Sequence, residues 1–328
     1  MQAEILGVEV KSFCGAFGIS ERTLYYWKRD VDPEGKILLK VREKANPPVN
    51  KLNLEERHAV AAELLRPAWS DLSPREIYYK LLDEENRLVA SVSTFYRVAR
   101  ERDLLAYRSK AKKGQALNRI KPVLMAIGPN EIWSWDVSQI STFRRSERYY
   151  LYVIMDIWSR FVVAWTLESH EKSEIAIQLW QSALENQLIS GKGLTNHKDN
   201  GSIMTSKEMI KFVRDAEMVD SYSRAGVSDD NPFSESLFRT IKYFRDFPEY
   251  FEAIEIGREY FSSYFKDYNY THRHSGIQFL YPASRHYGDE MNILKQRNNT
   301  IQEFVKQNGH RYSSKEKIFK PIIEVKIN

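Results

Sequence analysis

Apolar positions recur at helical spacing near the start of the chain. Val8, Val10, Phe13, Cys14 and Phe17 fall within one helix stripe. Gly18 ends that helix, and Ser20 can cap the next one, because its hydroxyl accepts from a backbone N–H that the first turn leaves unpaired. In residues 21–29, Leu24 and Trp27 face inward while Arg22, Tyr25, Lys28 and Arg29 face solvent. A helix, a tight glycine turn and a basic second helix predict a helix-turn-helix. Beyond Pro33, Gly35, Pro47 and Pro48, further helices are expected over residues 54–65, from Ser73-Pro74 with Ile77, Leu81 and Leu82 inward, and from Ser91 through Arg97. Residues 20–25 and 91–96 share the order Ser, two variable residues, Thr, apolar, Tyr. This repetition suggests a second helix-turn-helix; a small helical bundle without DNA contacts is the plainer reading.

The texture then changes. Residues 133–140 alternate bulky and polar side chains, as a half-buried strand does. Residues 149–157 form a nearly continuous apolar run, the mark of a buried strand, and 161–167 form a third strand after the turn at Ser159-Arg160. Short connections favour antiparallel pairing of the three. A helix over 173–187, a strand at 194–197, a helix over 206–216, a strand at 219–223 and a helix beginning near Asn231-Pro232 complete the pattern. The expected fold is multidomain: an all-α tandem helix-turn-helix region, then an α/β domain of ribonuclease H-like architecture with a mixed five-stranded sheet.

The 328 residues are long for one domain, and 42% hydrophobic with 28% charged residues excludes a disordered or membrane-embedded class. The net charge of +5 is modest, but its placement is informative. Residues 104–130 hold no acid, and include Arg108, Lys110, Lys112, Lys113, Arg119 and Lys121. This is a solvated linker or one that tracks a phosphate backbone, and the surrounding pattern favours the second. A lone cysteine, Cys14, excludes an internal disulfide and fits a cytoplasmic protein. No signal peptide and no run of about 20 apolar residues is visible.

Three acids stand apart. Asp136 lies within a strand between Trp135 and Val137, where an unpartnered charge is costly. Asp199 ends a strand before Asn200-Gly201, and Glu235 sits on the helix that Pro232 opens. Sixty-two residues lie between the first pair and 35 between the second. Carboxylates gathered in one place repel, and hard divalent cations such as Mg²⁺ neutralise them through oxygen ligation.

Residues 130–288 resemble the integrase-type core of bacterial insertion-sequence transposases, which is akin to that of retroviral integrases. The resemblance rests on Trp135-Asp136; Tyr152-Val153-Ile154-Met155-Asp156-Ile157-Trp158-Ser159-Arg160; His197-Lys198-Asp199-Asn200-Gly201-Ser202; Ser228-Asp229-Asp230-Asn231-Pro232-Phe233-Ser234-Glu235-Ser236; and Tyr270-Thr271-His272-Arg273-His274-Ser275-Gly276-Ile277 with Pro282-Ala283. The family's spacing of 35 residues between second aspartate and glutamate is matched. The resemblance implies Asp136, Asp199 and Glu235 as a catalytic and metal-binding triad. It implies two Mg²⁺ ions, replaceable by Mn²⁺, with Asp136 between them, and cleavage at an element's ends followed by transfer of a 3′-hydroxyl into target DNA. It also implies a basic residue seven positions after the glutamate, where Lys242 stands, and Arg239 shares that helix face. A triad of Asp156, Asp199 and Glu235 is the alternative, although Asp156 reads better as capping its turn; Asp229 and Asp230 read as helix caps.

The DNA-contacting set expected from both arguments is Lys242, Arg239, Arg22, Tyr25, Lys28, Arg29, Arg97, Arg108, Lys110, Lys112 and Lys113. His197 suits a strand-end core as well as the site, and His272 and His274 suit packing or DNA contact better than metal. Tyr260, Phe261, Tyr264, Phe265 and Tyr268 have helical spacing and read as core or interface. The domains expected are helix-turn-helix units at 1–45 and 46–104, a basic linker at 105–127, the core with C-terminal helices at 128–288, and a polar tail at 289–328 with a possible terminal strand. The partners expected are double-stranded DNA, as transposon ends and target, and further copies of the chain, at least a dimer on paired ends. A catalytically silent DNA-binding regulator and a structure-specific nuclease are the other readings.

Overall fold

The computed structural model describes residues 9–29, 52–102, 104–105, 124–144, 146–223, 231–309 and 318–327. The chain divides into two compact units, residues 1–51 and 52–328. Arg108, Lys110, Lys112, Lys113, Asp229 and Asp230 lie outside the described residues, as do the side chains of Trp27, Lys28 and Arg29.

In the first unit, α1 (Val10–Ala16) ends before Gly18, whose φ of +64° suits glycine, and α2 (Glu21–Arg29) follows. Ser20 caps α2 as expected: the Thr23 N–H donates to its Oγ at 3.1 Å. Cys14 is buried. The stripe does not hold throughout, since Val10 and Phe17 remain exposed and Phe17 packs chiefly on the neighbouring Phe13 ring.

The second unit opens with α3 (Leu54–Leu64), α4 (Pro74–Glu84) and α5 (Val92–Glu101). Asn53 with Glu56, and Ser73 with Glu76, form capping boxes in which side chain and backbone satisfy each other's donors. Ser91 caps α5 through the Thr94 N–H at 3.4 Å, and the Ser91 and Thr94 hydroxyls lie 3.1 Å apart, against 2.8 Å for Ser20 and Thr23. The shared sequence pattern is thus a shared cap. Val60, Ile77, Leu81, Phe95 and Val98 form the core between these helices.

A mixed five-stranded sheet follows, in the order β4-β3-β2-β5-β6: β2 is Ile132–Ser141, β3 Arg148–Asp156, β4 Val162–Glu168, β5 Thr195–Lys198 and β6 Val219–Tyr222. The first three pair antiparallel, whereas β5 and β6 run parallel to β2. Strand alternation sorts the two faces. Trp133, Trp135, Tyr152 and Ile154 pack with Trp180 of α6 (Ser173–Asn186) and with Met209 and Val213 of α7 (Lys207–Asp215). Ile140, Leu151, Val153 and Met155 face the other way, against Leu237 and Ile241 of α8 (Pro232–Lys242) and Phe261 and Phe265 of α9 (Ile254–Tyr270). Asp136 shares its parity with Ile140, which puts it on the α8 face.

Two elements were not foreseen. Residues 289–328 are more than a polar tail: after the short α10 (Pro282–His286), α11 (Glu290–Gln307) buries Leu294 and Ile301 against Tyr79 and Leu82 of α4. The end of the supposed linker forms β1 (Leu124–Ala126), which pairs antiparallel with β7 (Val325–Ile327), the expected terminal strand. Among the described residues no helix is long and apolar enough to cross a membrane.

Candidate active site

Asp136 sits on β2 with its flanking residues, Trp135 and Val137, turned into the opposite core. Its carboxylate accepts the Val137 N–H at 2.7 Å. Burial pushes its pKa up to about 7, and the charges of Asp199 and Glu235 add to that rise, while the Val137 N–H and the charge of Lys242 oppose it. Asp199, Glu235 and Lys242 are therefore each within electrostatic reach of Asp136.

Local structure explains the approach. The β2–β5 register pairs Ser134 with His197. Two residues further on come Asp136, still within β2, and Asp199, one residue past the end of β5, so both acids follow from the same end of the paired segment. Asp199 leaves the strand end held by Ser223, whose hydroxyl donates to its Oδ1 at 2.5 Å. Ser223 in turn is fixed by its N–H on the Lys198 carbonyl at 2.9 Å.

Glu235 is brought in by the start of α8. Ser134 donates to Asn231 Oδ1 at 2.6 Å and shares a 2.7 Å hydrogen bond with Ser234. Asn231 and Ser234 are buried, so the first turn of α8 is locked to β2 two residues before Asp136. Glu235 follows Ser234 directly and faces outward. Ser134, Ser223 and the side-chain role of Asn231 were missed from sequence; only their membership of the alternating and Asn-Pro-Phe motifs marked two of them.

The remaining motifs assemble behind this face. Arg160, with φ +67°, lays its guanidinium 3.8 Å from the centroid of the Phe233 ring in α8. Burial lowers its pKa to about 10. Asp156 is saturated: Oδ1 accepts the Ser159 N–H at 2.7 Å and hydroxyl at 2.6 Å, and Oδ2 accepts the Asn130 N–H at 2.7 Å. It caps the β3–β4 turn. His197 is buried against Ser221, 3.1 Å away. His272 stacks on Tyr268, and His274 accepts the Gly276 N–H at 3.0 Å; burial pushes the pKa of both down, that of His274 to about 3. Both are packing groups.

Among the basic candidates, Lys242, Arg239, Arg22 and Arg97 are exposed, as is Tyr25. Only Lys242 is tied electrostatically to Asp136, and Arg239 lies over the Tyr243 ring at 5.8 Å. Among the described residues, no group of three acid, histidine or cysteine side chains is close enough to enclose a metal ion as it stands. The donor set nevertheless fits a hard divalent cation: three carboxylates approach on one face, and the innermost holds its proton up to about pH 7 partly because the other two are charged. A cation there would relieve that repulsion.

A model described as "Integrase core domain" matches residues 127–228, and a second of the same description matches 218–282. The chain is 29% identical over 180 residues to the transposase for insertion sequence element IS904 of Lactococcus lactis, covering 54% of this chain and 70% of that protein. It is 29% identical over 168 residues to the Escherichia coli transposase InsF for insertion sequence IS3A, covering 50% of this chain and 57% of that protein. A structure of the HTLV-2 integrase catalytic core domain in complex with magnesium aligns at 20% identity and a TM-score of 0.37, covering 49% of this chain and 98% of that one. Residues 127–282 match the integrase core domain, and over about half of its length the chain is similar to transposases of insertion-sequence elements.

Proposed function

We propose that the chain binds the terminal inverted repeats of a mobile element, cleaves at their ends and transfers the resulting 3′-hydroxyl into target DNA, with Asp136, Asp199 and Glu235 as its catalytic triad. One observation carries this reading: the Asp136 carboxyl is raised to about 7 by burial and by the charges of those two other acids. Asp136, Asp199 and Glu235 would together hold two Mg²⁺ ions, and Mn²⁺ would substitute. Bound there, the metals supply Lewis-acid stabilisation of the attacking and leaving oxygens of a phosphoryl transfer.

The chain's own residues do the rest. Ser223 orients Asp199, and the Ser134, Asn231 and Ser234 cluster holds α8 so that Glu235 meets the sheet. Lys242 stands where a phosphate of the transposon end would be neutralised beside the carboxylates. The tandem Ser-capped helices, α2 and α5, present Arg22, Tyr25 and Arg97 to duplex DNA as recognition helices of two helix-turn-helix units. Lys28, Arg29 and the basic stretch with Arg108, Lys110, Lys112 and Lys113 add phosphate contacts, so affinity falls steeply with salt. Joining two ends requires at least a dimer.

The test is strand transfer on labelled end DNA with Mg²⁺ or Mn²⁺. Asp136→Asn, Asp199→Asn and Glu235→Gln should each reduce product at least about a hundredfold without loss of end binding. Full activity in all three variants would refute the triad. Binding with no metal-dependent product from the unaltered chain would favour the silent regulator, and cleavage without joining would favour the nuclease.

A further inference from the structure

Arg160 is a cation placed where a charge is hard to keep. It is 7% exposed, and among the described residues it forms no ion pair. Its guanidinium makes two contacts. Nη1 donates to the Ile157 carbonyl, and Cζ lies 3.8 Å from the centroid of the Phe233 ring. The Asp156 carboxylate, whose charge reaches Arg160, is taken up by Ser159 and Asn130. Desolvating a guanidinium without a bonded carboxylate is costly, and a neutral side chain of similar length would fill the space more cheaply. The backbone is strained as well. The Arg160 N–H donates to the Asp156 carbonyl and the Asp156 N–H to the Phe161 carbonyl, both at 2.8 Å, and this turn holds Arg160 at a φ of +67°. A non-glycine residue stays in the left-handed region only where its surroundings fix it. Both costs converge on one contact, a guanidinium against the face of an aromatic ring.

That ring belongs to the first turn of α8, two residues before Glu235. It also packs against the cluster of Ala126, Ile132, Ile157 and Ile327. Successive helix residues stand about 100° apart around the axis. Ser134 grips Asn231 and Ser234 from the sheet, while Arg160 grips Phe233 at a different angle. A helix held on one side can roll; held on two, its rotation is set. The rotation matters because Glu235 and Lys242 are seven residues apart, about two turns, and share one side of α8. A roll of α8 would move both relative to Asp136.

The conserved spacing of the 270–277 motif is not needed to see what it does here: it backs the guanidinium. The Gly276 N–H donates to His274 Nδ1 at 3.0 Å. A Cβ on Gly276 would lie 3.0 Å from His274 Cε1 and 3.7 Å from Arg160 Nε, so the missing side chain lets this loop close on both. Residues 156–160, 231–235 and 274–276 therefore meet at one cation.

We propose that Arg160 is a positioning residue for Glu235: through the Phe233 ring it fixes the rotation of α8, and with it the placement of Glu235 against the other two acids. The inference rests on the reading of Glu235 as a metal-binding acid of the triad.

The test follows Mn²⁺ binding to the full chain without DNA by electron paramagnetic resonance, beside strand transfer on end DNA and the melting temperature. Arg160→Met and Phe233→Leu should each weaken Mn²⁺ binding about tenfold and lower product by a similar factor. Phe233→Tyr keeps a ring beneath the guanidinium and should restore most of both. The double variant Arg160→Met, Phe233→Leu should lose about tenfold in all, where independent residues would lose about a hundredfold. In a Glu235→Gln chain, Arg160→Met should weaken Mn²⁺ binding no further. Where Arg160→Met does not fold, Phe233→Leu against Phe233→Tyr decides the matter alone. Unchanged Mn²⁺ binding and product in Arg160→Met and Phe233→Leu, with Glu235→Gln still defective, would overturn the positioning role and leave the triad standing. Losses that multiply in the double variant, or that follow a falling melting temperature with Phe233→Tyr no better than Phe233→Leu, would reduce Arg160 to a core residue. Undiminished Mn²⁺ binding by Glu235→Gln would instead break the reading of Glu235, and the role of Arg160 with it.

Discussion

Two buried regions of the second unit treat an aspartate in opposite ways. At the junction of α4 and α11, Asp83 is ringed by donors. Arg297 reaches its two oxygens through Nε at 2.6 Å and Nη2 at 2.8 Å, and Arg273 Nη1 bonds to it as well. Gln296 binds its carbonyl, and Arg297 goes on to the Gln278 and Phe279 carbonyls. On the β2–α8 face, Asp136 receives one recorded donor, the N–H of its own neighbour, and looks toward two further acids. A carboxylate whose lone pairs are filled by the protein is a structural joint. One that is half-buried, under-donated and crowded by like charge is kept for something from outside. Asp156, with three donors, belongs with Asp83 on this criterion, which argues against a place for it in the proposed triad.

That contrast can be broken most severely at Asp83. Asp83→Ala leaves Arg273 and Arg297 buried without their main counter-charge, and should cost about 3–5 kcal/mol in urea unfolding. A loss below about 1 kcal/mol would mean that the joint is not a stabilising one. Asp156→Ala should cost less, about 2 kcal/mol, because it strands two backbone N–H groups and one hydroxyl. If it removed strand transfer while leaving stability intact, the division between the two kinds of aspartate would fail.

A pH titration sharpens the same point for the histidines. His274 is pushed down to about 3 by burial, then by the charges of Arg160 and His272, from an ordinary value of 6.5. The unfolded chain therefore takes up a proton below pH 6.5 that the folded chain refuses. Stability is fully present above that pH and falls by about 2 kcal/mol by pH 5. His274→Asn should flatten the slope in denaturant midpoints measured between pH 7 and 5; an unchanged slope would place the effect elsewhere. The smallest effect has the opposite sign. Asp136→Asn removes a charge that its neighbours repel, so in EDTA it should raise stability by about 1 kcal/mol, seen as a higher melting temperature. A lower one would show that the three acids do not repel one another as described.

The helix caps and the sheet were legible because each rests on local chemistry. Ser20, Ser73 and Ser91 announce helix starts through one hydroxyl apiece, and the alternation in residues 133–140 sets which face Asp136 takes. Leu294 and Ile301 hid α11 because they are thinly spread among polar residues, and because Arg297, which reads as a surface residue, is buried on Asp83. β1 hid in the same way, since three residues within a basic stretch carry no period and gain their partner from the far end of the chain. Phe17 failed as a core residue because a stripe on one helix implies burial only if something covers it. The motifs singled out the three acids of the proposed triad, whereas the serines and asparagine beside them had no such mark, since hydrogen bonds between distant residues leave no spacing signature.

The pairing of β1 with β7 has a consequence for synthesis. Ala126 and Ile327 pack with Ile132 and Ile157 in one apolar cluster. On the ribosome, β1 emerges about 200 residues before the strand that completes it, a delay of about 10–40 s at ordinary elongation rates. Through that interval the sheet can assemble, but the cluster beside Ile157 lacks Ile327. The nascent chain then carries an open strand edge until β7 arrives, and a chaperone or a protease has that interval in which to act on the seam.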